Sequence, residues 1–138
     1  MLSKSGVHAV RALVVLAELP SGDYRGAVSI AGQTGAPRNY LGKLLQLLSR
    51  HELVESQKGL GGGFRLARAP EQISLFDVID SIEDTSRWND CILGNPSCSD
   101  GNPCSVHDRW GPVRESYLDL MKQTTIADLT PKPIGPAG

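Results

Sequence analysis

The stretch TGAPRNYLGKLLQLLSRHELVESQKGLGGGFRLA, residues 34 to 67, decides how the rest of the chain reads. Thr34-Gly35-Ala36-Pro37 stops one helical pattern and opens another. Pro37 suits the first helical position, where its ring presets φ and its missing N–H would have no partner anyway. From there to about His51, Leu41, Leu44, Leu45 and Leu48 fall on one face of a 3.6-residue period. Asn39, Lys43, Gln46 and Arg50 line up along the other edge, so hydrogen-bonding and cationic groups form one row. Leu53 to Gln57 and Phe64 to Ala67 alternate apolar and polar, and Lys58-Gly59-Leu60-Gly61-Gly62-Gly63 joins them. This predicts a β-hairpin with a glycine-rich tip.

A short helix opening near Ser29, a tight turn, a longer helix with a polar edge and a hairpin directly after it make a winged helix-turn-helix. Such a unit lays its second helix in the major groove of double-stranded DNA, and its wing can reach phosphate or minor groove. The candidate contacts on the helix are Arg38, Asn39, Tyr40, Lys43 and Arg50; those on the wing are Lys58, Gly61, Gly62 and Arg65. The glycine run lacks the Gly-Lys-Ser/Thr ending of a nucleotide phosphate loop, and no helical pattern follows it, which argues against an ATP site.

Toward the N-terminus, Val7, Val10, Leu13, Val14 and Ala17 recur at helical spacing between a serine cap (Ser3 or Ser5) and Pro20, giving a first helix over about residues 4 to 19. Residues 20 to 26 are turn formers. Toward the C-terminus, Pro70 ends the wing, and Ser74 with Asp77 opens a helix carrying Leu75, Val78, Ile79 and Ile82. Residues 84 to 105 have no period and read as an irregular loop. Trp110, Val113, Tyr117, Leu120, Met121 and Thr124 then mark one stripe of a long last helix, which Gly111-Pro112 starts or kinks. So small a chain has little left to cover that stripe, so a homodimer through Trp110, Val113, Tyr117, Leu120 and Met121 is expected. Packing on the first helix is the alternative, and both can hold.

The expected architecture is mostly α with a small β-hairpin wing: a winged helix-turn-helix over residues 1 to 69 and a linker helix, cysteine loop (about 84 to 107) and dimerisation helix over 70 to 129. Residues 130 to 138, rich in proline and glycine, read as a disordered tail.

The chain has 138 residues, 40% hydrophobic and 21% charged, one ordinary domain's worth, which argues against a two-domain cofactor enzyme. The longest apolar run, Ala12 to Ala17, is far below a membrane span. Lys4, Ser5, Gly6, His8 and Arg11 stand where a secretory signal would need apolar residues, so a cytoplasmic location is expected. The formal charge is only −1, but residues 1 to 70 carry nine basic and four acidic side chains, and the remainder five and eleven. A basic half beside an acidic half fits one face that meets phosphate, as it fits an uneven solvated surface.

Cys91, Cys98 and Cys104 are the three cysteines, and His107 follows the last in the pattern C-x6-C-x5-C-x2-H. An odd count argues against a disulfide framework. Structural zinc usually takes ligand pairs two to four residues apart, which only Cys104 and His107 provide. Thiolates from irregular loops with a histidine substitute suit iron–sulfur clusters. Spacing therefore ranks iron–sulfur first, zinc second and unliganded redox thiols third. Cys104 and His107 as nucleophile and base lack a visible third group, so no enzyme is expected. His8 lies beside the apolar stripe of the first helix, and His51 ends the recognition helix, where a cation suits the dipole or a DNA phosphate.

Tyr40-Leu41-Gly42-Lys43-Leu44-Leu45, Leu53-Val54-Glu55-Ser56, Gly59-Leu60-Gly61-Gly62-Gly63-Phe64-Arg65-Leu66, Asp77-Val78-Ile79 and three cysteines before a long last helix make the chain resemble the Rrf-two family of winged-helix iron–sulfur transcriptional regulators, over about residues 1 to 126. The resemblance implies a homodimer with crossing last helices on a pseudo-palindromic operator, and a 2Fe-2S or 4Fe-4S cluster whose loss, oxidation or nitrosylation changes DNA affinity. It matches Cys91, Cys98 and Cys104 to the cluster ligands and His107 to the fourth ligand of IscR-like members. Other members take that ligand from the partner's first helix, where His8 is the group here able to serve. The first cysteine gap is one residue longer than the family's commonest spacing, which leaves cluster type open. A constitutive DNA binder with structural zinc and a metal-free thiol switch are the competing readings.

Overall fold

The computed structural model describes residues 2–85, 93 and 104–130. Helix α1 (Lys4–Ala17) is the centre of the molecule: α2 (Ala27–Thr34), α3 (Arg38–Arg50), α4 (Leu75–Ile82), α6 (Ile126–Leu129) and the second strand of the wing all pack on it. Ser3 caps α1 by accepting the Gly6 N–H at 3.0 Å. Leu13, Ile30, Leu41, Leu45, Leu48, Val78 and Ile79 close the core around it, each such side chain contributing roughly 1.5–3 kcal/mol of transfer free energy. Gly6 lets α4 come close, because a Cβ there would stand 2.7 Å from the Ile79 Cδ1. Among the described residues no helix is long and apolar enough to cross a membrane.

Strands β1 (Val54–Gln57) and β2 (Gly63–Leu66) pair antiparallel in the register Val54 to Leu66, Glu55 to Arg65, Ser56 to Phe64 and Gln57 to Gly63. The loop before α2 adds an isolated antiparallel bridge to β2 that alternation did not foretell: Arg25 and Phe64 exchange both backbone hydrogen bonds, at 2.8 and 2.7 Å. Gly63 is required there. Its φ is +132°, and a Cβ would fall 2.5 Å from the Arg25 carbonyl carbon. Several boundaries also differ from the sequence reading. Helix α1 ends at Ala17, α2 opens at Ala27, and Pro37 sits in the cap position with extended backbone rather than inside α3.

Beyond a 3₁₀ turn (Pro70–Gln72), Ser74 and Asp77 form the expected capping box on α4. Helix α5 (His107–Gln123) already runs when it reaches Pro112, which therefore does not start it. Its single fully buried residue is Met121. Met121 thus belongs to the protomer's own core and is removed from the expected dimer contacts. Helix α5 packs chiefly on α4, not on the first helix. A further capping box, Thr125 with Asp128, then opens α6. The Leu75 N–H to Thr124 carbonyl (2.9 Å) and Ile126 N–H to Ile73 carbonyl (2.9 Å) bonds pin the end of α5 back beside α4.

Candidate DNA interface and cysteine segment

Gly35 takes φ 78° and donates to the Ala31 carbonyl at 2.8 Å, closing α2 in a left-handed cap so that the chain turns sharply into α3. With Leu41, Leu44, Leu45 and Leu48 buried, the helical period turns Arg38, Asn39, Lys43, Gln46 and Arg50 outward, and all five are exposed. Tyr40 does not join them. One position along from Asn39 the helix has rotated about 100°, and the Tyr40 hydroxyl instead hydrogen-bonds the Ser5 Oγ of α1. Its ring meets His8 edge-on, centroids 5.8 Å apart. Tyr40 therefore anchors the first turn of α3 to α1.

The wing is built to hold one shape. Gly59 and Gly61 take positive φ, the Gly62 N–H donates to the Gly59 carbonyl at 3.0 Å, and a Cβ at Gly62 would lie 2.1 Å from the Gln57 carbonyl oxygen. Gly62 is thus fixed by the hairpin's own backbone. Lys58, Leu60 and Gly61 stand exposed at the tip. Arg65 is engaged within the wing: its Nε donates to the Glu55 Oε1 at 2.6 Å across the strands, and its guanidinium lies 4.6 Å over the Tyr24 ring. That bond to Glu55 holds the Arg65 pKa above the ordinary arginine value.

Cys91 and Cys98 lie outside the described residues. Cys104 and His107 are half-buried on the turn that leads into α5, where the His107 N–H donates to the Cys104 carbonyl at 3.1 Å. Among the described residues no three metal-binding side chains come together. Further along α5, Trp110 and Tyr117 are half-buried, whereas Val113 and Leu120 are 57% and 58% exposed. Burial of the Tyr117 phenol raises its pKa, with Glu83 adding to the shift.

The profile of the Rrf2 family, described as an iron-dependent transcriptional regulator, matches residues 2–132. The chain belongs to the Rrf2 family. A putative HTH-type transcriptional regulator of Aquifex aeolicus is 39% identical over 95 residues, covering 67% of this chain and 66% of that relative. The HTH-type transcriptional regulator IscR of Sodalis glossinidius is 32% identical over 131 residues, 93% of this chain and 77% of that protein. Among solved structures, CymR, the global cysteine regulator of B. subtilis, superposes with a TM-score of 0.80 at 22% identity, covering 97% and 98% of the two chains.

Rrf2 membership makes this chain a DNA-binding transcriptional regulator with a winged-helix fold, not an enzyme. Three of its features escaped the sequence reading. Arg25 braces the wing through backbone alone and so leaves no side-chain signature. The Glu55–Arg65 pair could have been found by writing out the hairpin register, which sets the two directly opposite. The inward turn of Tyr40 follows from its place beside Leu41 and Leu44 on the helical wheel.

Proposed function

We propose that this Rrf2-family chain is a homodimeric repressor whose affinity for a pseudo-palindromic operator is set by an iron–sulfur cluster on Cys91, Cys98, Cys104 and His107. The observation that carries this reading is the position of Cys104 and His107 on the turn that opens α5, with His107 as its first residue. Three thiolates and an imidazole are a donor set that fits such a cluster. When bound, the cluster supplies one-electron redox chemistry and reactivity toward nitric oxide. The chain's own part is mechanical. Cys91, Cys98, Cys104 and His107, holding a cluster, would tie the segment to the start of α5 and so constrain how α5 leaves it, and the half-open stripe Trp110, Val113, Tyr117 and Leu120 would meet its copy in the partner. The angle between protomers then fixes the spacing of the two α3 helices on DNA.

Binding is divided between two kinds of residue. Arg38, Lys43, Arg50 and Lys58 meet phosphate, and Asn39 and Gln46 read base edges in the major groove. Regulation needs only that the tied and untied forms differ in DNA affinity. His8 is the second candidate for the fourth ligand, supplied by the partner's α1. Structural zinc on the same residues is the competing reading, favoured by the two-residue gap between Cys104 and His107.

The test is purification without oxygen, followed by a visible spectrum and iron, sulfide and zinc analysis of wild type, Cys98→Ala and His107→Ala. A brown protein with iron and sulfide, bleached in Cys98→Ala, is the expected result. A colourless protein with stoichiometric zinc would overturn the sensor and leave a constitutive DNA binder; a colourless, metal-free one would leave a thiol switch.

A further inference from the structure

We propose that the cleft between the start of α1 and the α2–α3 turn is an oxyanion site, taking a phosphate or carboxylate group. The cleft encloses about 480 Å³ and is lined by Lys4, His8 and Arg11 of α1 and by Thr34 and Gly35 of the turn. Offsets of four and seven residues put the three basic side chains on one face of α1. Among the described residues, no carboxylate lines the cleft. Among the described residues, neither Lys4 nor Arg11 has an ion-pair partner. The Arg11 Nε and the His8 Nδ1 are buried with no hydrogen-bond partner. Buried polar groups are almost always satisfied, so two orphans in one cleft ask for a ligand that can bond both. Two cations and no acid exclude a metal ion, and the orphan nitrogens disfavour an apolar guest. An oxyanion accepts from the arginine N–H and from a protonated imidazole nitrogen, and it balances the charge of Lys4 and Arg11.

The position gives such a ligand a consequence. Its walls are α1 on one side and the turn that aims α3 on the other. His8 also touches Tyr40, whose hydroxyl is tied to Ser5. An ion drawing Lys4, His8 and Arg11 together therefore bears on the first turn of α3, which presents Arg38 and Asn39. It would also occupy His8 and remove it as a candidate cluster ligand. The oxyanion has two possible sources, a free small ion or a backbone phosphate of bound DNA, and the chemistry of recognition is the same for both.

The test uses the full chain without DNA, titrated with inorganic phosphate at constant ionic strength against chloride, with backbone amide NMR shifts as readout. Saturable shifts at Val7, His8, Thr34 and Gly35, lost in Lys4→Gln/Arg11→Gln but kept in Arg11→Lys, are expected for a free ion. The second arm measures DNA affinity against salt. A slope lowered by about one in Arg11→Gln, with no saturable phosphate shift, assigns the cleft to a backbone phosphate. No saturable shift together with an unchanged slope overturns the proposal. The phosphate arm needs no DNA and no cluster, and the wild-type titration needs no variant to fold. Failure of the regulatory reading would thus leave this test standing.

Discussion

Helices α3 and α5 both carry an apolar stripe in the sequence, yet the protomer treats them differently. Helix α3 has 13 residues and buries four leucines against α1, α2 and α4, so its polar row is turned to solvent without choice. Helix α5 has 17 residues and buries one, Met121, leaving Val113 and Leu120 open. A stripe fully covered within the protomer fixes a surface for another molecule on its back. A stripe only partly covered is itself the surface. The proposed division of labour follows: α3 presents a shape to DNA, and α5 waits for its copy.

The strongest test of the contrast removes a leucine from the covered stripe. Leu45→Ala should cost about 2–5 kcal/mol of unfolding free energy, because Leu45 is fully buried in the core and its removal leaves a cavity that the packed helices around α3 close only in part. Denaturant titration at one fixed protein concentration measures it. A cost below about 1 kcal/mol would mean that α3 is not seated as described.

Adjacent residues of α5 sharpen the other side. Leu120→Asp should convert the dimer to monomer at micromolar concentration, weakening association by about 2–3 kcal/mol or more, with helical content kept. Met121→Ala, one residue on, should instead lower unfolding free energy and leave the association constant nearly unchanged. Sedimentation velocity and thermal denaturation separate the two. If Leu120→Asp stays dimeric, the open stripe is not the interface.

On α3 the contrast is between neighbours on the outward row. Lys43→Ala should weaken binding to all DNA sequences and lower the salt slope by about one, whereas Asn39→Ala should lose about 1–3 kcal/mol of discrimination at one base pair. Fluorescence anisotropy on selected and scrambled duplexes across a salt series distinguishes them. Equal losses on both duplexes for Asn39→Ala would place that side chain on phosphate.

What was legible in the sequence was local. Helix α1, the Gly35 turn, the four leucines of α3 and the Ser74–Asp77 box follow from period and capping, which short stretches encode by themselves. The Arg25–Phe64 bridge was not legible, because backbone pairing across about 40 residues leaves no pattern in side chains. Helix α6 was legible and passed over. Thr125 and Asp128 repeat the box signature of Ser74 and Asp77, but the stripe running to Thr124 made the segment look like one helix. In the candidate DNA surface, Arg38, Asn39, Lys43 and Arg50 stand on the exposed row as read, while Tyr40 and Arg65 hold partners that single-residue reasoning does not assign. Cys91 and Cys98 fall outside the described residues, and the proposed cluster ligands are read from the donor chemistry of three thiols and an imidazole.

The smallest effect belongs to the wing, where the cross-strand partner of Arg65 decides what that cation can do. Glu55 takes its Nε and the Tyr24 ring covers its guanidinium, so in free protein Arg65 is spoken for. Both Arg65 and Glu55 are substantially solvent-exposed, and an exposed ion pair contributes little to stability. Glu55→Gln should therefore leave the unfolding midpoint where it is. It removes a negative charge from the wing and frees a positive one, so DNA affinity should rise roughly threefold at low salt, the gain fading as ionic strength increases. Arg65→Gln should lower affinity by no more than that, since the wild-type side chain must first leave Glu55 to reach a phosphate. An affinity loss in Arg65→Gln as large as that of Lys43→Ala would show that the pair opens on DNA, and would move the weight of the interface from α3 toward the wing.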